Sequence, residues 1–127
     1  MTNTQEILPN ARGPTDKPRV VVFLAYPGMG LLDITGPQTV FWSAAQFLEA
    51  RGAPGYVRHT VSVDGGVVVT TEGIGVDTRP VREIEDLQID TIIVPGAYEM
   101  TAALAHAPLV SWLRTTVRRA RRVASVF

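Results

Sequence analysis

The stretch RVVVFLAY, Arg19 to Tyr26, follows one arginine with seven β-branched, aliphatic or aromatic residues and shows no polar alternation. A strand built from it has no face to offer water, so it predicts a strand covered on both sides, as in a parallel sheet packed between helices. Two later runs share this character. DTIIVPGAY from Asp90 is a short buried strand halted by Pro95 and Gly96, and the apolar VASVF that ends the chain, Val123 to Phe127, is a further one.

The text between these runs is that of crossovers. PGMGLLDITGP, Pro27 to Pro37, reads as a loop, with Pro37 suited to the first position of a helix because its missing N–H would be unpaired there. In QTVFWSAAQFLEARG the apolar residues Val40, Phe41, Ala44, Ala45, Phe47 and Leu48 recur at helical spacing, and Gly52 stands where a C-terminal cap belongs. YVRHTVSV from Tyr56 alternates, which predicts a strand near a sheet edge. Asp64 to Gly66 is a turn, and VVVTTEGIGVDT is a small hairpin around Glu72 and Gly73. PVREIEDLQI is a polar connection with room for one helical turn. A helical stretch from Tyr98 to Ala105 precedes a helix opened by Pro108, with Leu109, Trp112, Leu113 and Thr116 or Val117 inward. Alternating strands and helices of this kind predict a flavodoxin-like, doubly wound α/β domain over residues 19–127, its mostly parallel sheet covered by helices on both faces. Residues 1–18, with Pro9, Pro14 and Pro18 and no period, are expected to form a disordered arm.

Composition narrows the chemistry. Twelve basic and twelve acidic residues cancel, so no net charge draws the chain to nucleic acid or an anionic membrane. No cysteine is present, and His59 and His106 lack neighbouring ligands at metal spacing, so neither a thiolate nor a histidine metal site is expected. No apolar run approaches a membrane span and the N-terminus lacks a signal-peptide pattern, giving a cytoplasmic expectation. Arg114, Arg118, Arg119, Arg121 and Arg122 crowd nine residues with no acid among them. They read as the solvated outer face of a helix, and Trp42 and Trp112 read as packing residues.

Two loops follow strand ends, where ligands gather in such sheets. Asp33 is the one ionisable residue in YPGMGLLDITGP. In that apolar setting its carboxyl is placed to donate or transfer a proton, or simply to cap the helix. Gly96 and Ala97 could turn backbone N–H groups toward an oxyanion, or form a plain turn.

In order and spacing, FLAYPGMGLLDITGPQTVFWSA, VSVDGGVVVTTEGIGV and the text from Ile89 to Val126 resemble the ThiJ/PfpI superfamily, which has the class I glutamine amidotransferase-like fold. LLDITGP is the most specific piece. The nearest resemblances are to isocyanide hydratases and to the sensor domains of AraC-type transcriptional regulators. The resemblance implies that Asp33 is the acidic residue beside the nucleophile, used by the hydratases for proton transfer. It implies that Gly96 belongs to the ligand-facing loop, where Ala97 replaces a usual second glycine. Phe127 takes the place of the family's cysteine on the nucleophile elbow, and a phenyl ring has no nucleophilic atom. The domain is therefore expected to be truncated at the elbow. Its final strand should belong in the middle of a larger sheet, with exposed apolar surface favouring homo-oligomers or a poorly ordered C-terminal region. The implied function is ligand sensing in an AraC-type regulator, with a small-molecule ligand, no cofactor, no metal and no direct nucleic-acid binding by this segment. The alternatives are a fragment of an isocyanide hydratase-like enzyme, a lyase if active, or an inactive remnant.

Overall fold

The computed structural model describes residues 17–127, so the expected disordered arm lies almost wholly outside the described residues. Ten elements follow in chain order. They are strand β1 (Arg19–Leu24), helix α1 (Leu31–Glu49), strands β2 (Tyr56–Ser62), β3 (Gly66–Val69) and β4 (Gly75–Pro80), a 3-10 turn over Val81–Ile84, strand β5 (Ile89–Pro95), helices α2 (Thr101–Ala105) and α3 (Ala107–Thr116), and strand β6 (Arg122–Val126). The strands form one sheet in the order β3-β4-β2-β1-β5-β6, with β3 alone antiparallel to its neighbour.

The apolar run of β1 is buried from Val21 through Tyr26, and β1 sits between two parallel partners, β2 and β5. Strands β1, β5 and β6 are consecutive neighbours. The chain crosses from β1 through α1 to β2 in one direction along the sheet, and from β5 through α2 and α3 to β6 in the other. Right-handed crossovers in opposite directions place α1 on one face and α2 with α3 on the other. The reversal between β1 and β5 is the topological switch point, where the loops after adjacent strands diverge and leave a crevice.

Packing on the α1 face runs through an aromatic chain. Phe23 of β1 meets Phe41 of α1 edge to face at 6.1 Å, and Phe41 meets Tyr56 of β2 at 5.0 Å. Ile34, Phe41, Ala44, Ala45 and Leu48 face inward, whereas Val40, Trp42 and Phe47 are exposed, contrary to the inward positions expected for them. The inward stripe is narrower than the apolar content of the helix, and Phe47 finds its partner outside, under the Arg51 guanidinium at 3.4 Å.

Helix α1 also begins earlier than expected. Pro37 lies within it, and the first helical residue is Leu31. Its N-cap Gly30 has no side chain to offer. The cap comes from the hairpin instead, where the Glu72 carboxylate accepts the Leu31 N–H at 3.1 Å. An acid at a helix N-terminus satisfies an orphan donor and complements the dipole. Two further bonds, Gly28 N–H to Val69 O at 3.0 Å and Thr71 N–H to Met29 O at 2.9 Å, tie the same hairpin to the loop after β1.

Strand β2 is internal, yet only Val61 and Ser62 pair with β4, so its first half has the edge character its alternation suggested. Helix α2 starts at Thr101, not Tyr98, which is exposed. Helix α3 buries Leu109 and Thr116 as expected. Strand β6 differs most from its reading as a buried strand. It is the outer strand of the described sheet, and residues 122–125 are exposed.

The arginine run is also not uniformly solvated. Asp90, 1% exposed on β5, accepts Arg19 Nη1 at 2.9 Å and Arg121 Nε at 2.8 Å, and the Thr91 hydroxyl donates to it at 2.7 Å. Burial alone would push the Asp90 carboxyl up. The hydrogen bonds from Arg121, Thr91 and Arg19 overcome this and hold it well below the usual carboxylate range. Arg122 donates to the Thr91 hydroxyl at 2.8 Å and Arg119 to the Glu85 carbonyl at 2.9 Å.

Candidate functional site

Three segments meet at the C-terminal ends of β1, β5 and β6, and short backbone bonds stitch them together. Gly30 N–H donates to Gly96 O at 2.9 Å, Gly96 N–H donates to Val126 O at 2.6 Å, and Met29 forms an isolated bridge with Ala97. This brings Asp33, Gly96 and Phe127 to one point. A Cβ on Gly96 would stand 3.2 Å from Asp33 Oδ2 and 2.5 Å from Phe127 Cβ, too close for any side chain. A Cβ on Gly30 would stand 3.0 Å from the same Asp33 oxygen. The two glycines are therefore the walls of a slot that holds the carboxylate beside the end of β6.

Asp33 occupies the third position of α1, half-buried, with no side-chain hydrogen bond capping that helix. Its capping alternative is thus taken by Glu72. The Gly96 N–H, read as a donor toward an oxyanion, is instead engaged by the Val126 carbonyl. Ala97 is half-buried and packs against the core. Phe127 is 96% exposed, so its ring points away from the slot its backbone borders.

Tyr26, at the end of β1, is the residue that sequence reasoning passed over. Its hydroxyl donates to Pro95 O at 2.5 Å and lies 3.6 Å from Met100 Sδ. Burial pushes its phenol up, and the charge of nearby Asp33 pushes it further, so it remains a protonated donor at neutral pH. The only signal for it was its place, the last residue of a buried run just before Pro27 and Gly28. His59 lies away from this point on β2, its pKa lowered by burial and then by the Arg79 charge. Among the described residues no three His, Asp or Glu side chains gather as a metal-binding group. No described helix is long and apolar enough to cross a membrane.

The arrangement presents one carboxylate, a neutral phenol and a glycine-lined approach, without a thiol among them. It brings a carboxylate close to the backbone at the end of β6 and has room for only small groups beside Gly30 and Gly96.

This architecture recurs in solved structures. A ThiJ/PfpI family protein from Pseudomonas syringae matches with a TM-score of 0.70 at 20% identity, over 85% of this chain and 41% of its own. An AraC family transcriptional regulator from Pseudomonas putida matches with a TM-score of 0.65 at 17% identity, over 85% of this chain and 64% of its own. Drosophila melanogaster DJ-1beta matches with a TM-score of 0.56 at 14% identity, over 85% of this chain and 54% of its own. The chain thus spans between about two fifths and two thirds of these proteins' lengths. The fold is that of the ThiJ/PfpI superfamily, in agreement with the resemblance carried by LLDITGP. In sequence, an uncharacterized Streptomyces lividans protein encoded in the cpoL 5′ region is 34% identical over 112 residues, 88% of this chain and 75% of that protein. The chain belongs to the same family as that protein. No family model matches it.

Proposed function

We propose that this chain is a ligand-sensing ThiJ/PfpI-like segment of an AraC-type transcriptional regulator and not a catalyst. The observation that carries this reading is the meeting of Asp33 and Gly96 with Phe127, at the point where the resemblance places a cysteine. A site that retains the carboxylate and the glycine approach but has no thiol supports recognition without covalent chemistry. The Pseudomonas putida regulator, which shares the fold, supports a regulatory setting as one use of this architecture.

The purified chain is expected to show no isocyanide hydration, amide hydrolysis or deglycation above background, and Asp33→Asn should leave that background unchanged. Steady-state assays on the two proteins test this. Turnover that disappears in Asp33→Asn would overturn it. The reading frame on the 3′ side of the Phe127 codon separates the alternatives: a helix-turn-helix supports the regulator, whereas a cysteine-bearing elbow without one supports the enzyme.

The same proposal includes self-association and a cytoplasmic location. Leu32, Val40 and Phe47 leave apolar surface exposed along α1, which favours association between copies. Sedimentation velocity should therefore show a species heavier than the 13.8 kDa monomer, and a single monomer peak at tens of micromolar would count against it.

A further inference from the structure

A cavity of about 470 Å³ lies on the α2–α3 face, and no residue of α1 lines it. Asp33, Gly96 and Phe127 are likewise absent from its lining, so it is distinct from the glycine-walled slot, with Tyr26 standing between the two. Its volume falls in the range of small-molecule sites. Ala25 and Tyr26 from the end of β1, Val68 of the hairpin, and Ala103 and Leu109 of the two helices give it an apolar interior.

The polar groups divide into two kinds. The hydroxyls inside are already engaged, Tyr26 with the Pro95 carbonyl and Ser62 with Thr78 and the Gly65 N–H. The protons of these hydroxyls are committed, so an inserted acceptor finds no side-chain donor there and would lose its hydration without compensation. Asp64 and His106 also line the cavity, and both are exposed. Neither side chain has a hydrogen bond or ion pair among the described residues. The cavity thus combines a satisfied apolar interior with an unpaired carboxylate and a free imidazole at its mouth.

We propose that this cavity is a second ligand site, one that takes a small amine with an aromatic or branched aliphatic body. The body enters between the hairpin and α2, and the ammonium stays at the mouth against Asp64, with His106 as a further hydrogen-bond partner. A carboxylate-bearing ligand of the same shape is disfavoured by the like charge of Asp64.

Calorimetric titration of the purified chain with 2-phenylethylamine, 2-phenylethanol and 3-phenylpropionate tests this. The amine should bind with one site per chain, more tightly than the alcohol, and the acid should bind most weakly. Asp64→Asn should weaken the amine about two- to fivefold, the size of an exposed charge pair, and leave the alcohol unchanged. Ala102→Trp, at an exposed position of α2 that lines the cavity, should abolish binding of both while thermal unfolding stays as in the parent chain. Asp33→Asn should change none of these affinities. Equal binding of acid and amine, no binding of any of the three at millimolar concentration, or amine binding that survives Ala102→Trp would overturn the proposal. Binding that is lost in Asp33→Asn but not in Ala102→Trp would place the ligand in the other site, overturning this inference and leaving the sensing function intact.

Discussion

Asp90→Asn is expected to destabilise the chain by about 3 kcal/mol, the cost of removing one partner from a buried ion pair. Asp90 is sealed at 1% exposure, and its two arginines keep about a fifth of their side-chain surface. They arrive from β1 and from the residue before β6, the two strands that flank β5. One carboxylate therefore ties three adjacent parallel strands at their N-terminal ends. An amide keeps the shape but carries no charge, and with its oxygen in the place of Oδ1, which accepts from both arginines, it gives up the bonds that Oδ2 accepts from Arg121 Nη2 and the Thr91 hydroxyl. The pH dependence has a definite sign. The folded pKa lies below the unfolded value of about 3.9, so the contribution is fully present above that value and is lost as pH falls toward the folded one. Urea midpoints measured from pH 7 down to pH 2.5 should decline more steeply for the parent chain than for Asp90→Asn. Parallel curves would show that Asp90 does not carry the acid sensitivity.

Phe23→Ala should cost about 3–5 kcal/mol, because the ring is fully buried at the centre of the sheet and little around it can collapse into the space. The ring also begins the aromatic chain to Phe41 and Tyr56 that seats α1 on β1 and β2. Phe41→Ala should cost less, since Phe41 is only half-buried. A double-mutant cycle in denaturant should return a coupling of about 0.5–1.5 kcal/mol for the edge-to-face pair. Strict additivity would mean that the two rings stabilise the chain independently and that α1 is seated by other contacts.

The sequence made the sheet legible where burial on both faces leaves its mark. RVVVFLAY and DTIIVPGAY could hardly lie anywhere but in a covered parallel sheet, and the crossovers between such strands dictate which face each helix takes. The chance that Asp33 and Gly96 would face each other also followed, because each comes just after one of these strands. What stayed hidden depended on partners remote in sequence. Gly36 and Pro37 look locally like a helix boundary, but α1 starts at Leu31 with a cap from Glu72, forty-one residues away. Arg121 looks like one charge in a solvated run, but its carboxylate lies thirty-one residues back on β5. Trp42 and Phe47 obey helical spacing yet face outward, since spacing alone does not say how wide the buried stripe is. The Gly96 N–H carried no sign that the Val126 carbonyl would claim it.

Glu72 gives the hairpin an influence out of proportion to its size. Its carboxylate, with the Gly28–Val69 and Thr71–Met29 bonds, makes the tip of a partly exposed ribbon the clamp on the first turn of α1. Asp33 sits two residues into that turn. A fluctuation that lifts the ribbon away removes all three bonds at once and frees the helix start to fray, because Gly30 has no side chain to cap it in place of Glu72. The aim of the carboxylate is therefore coupled to a two-stranded ribbon, and whatever grips that ribbon from outside also acts on the helix turn that carries the acid.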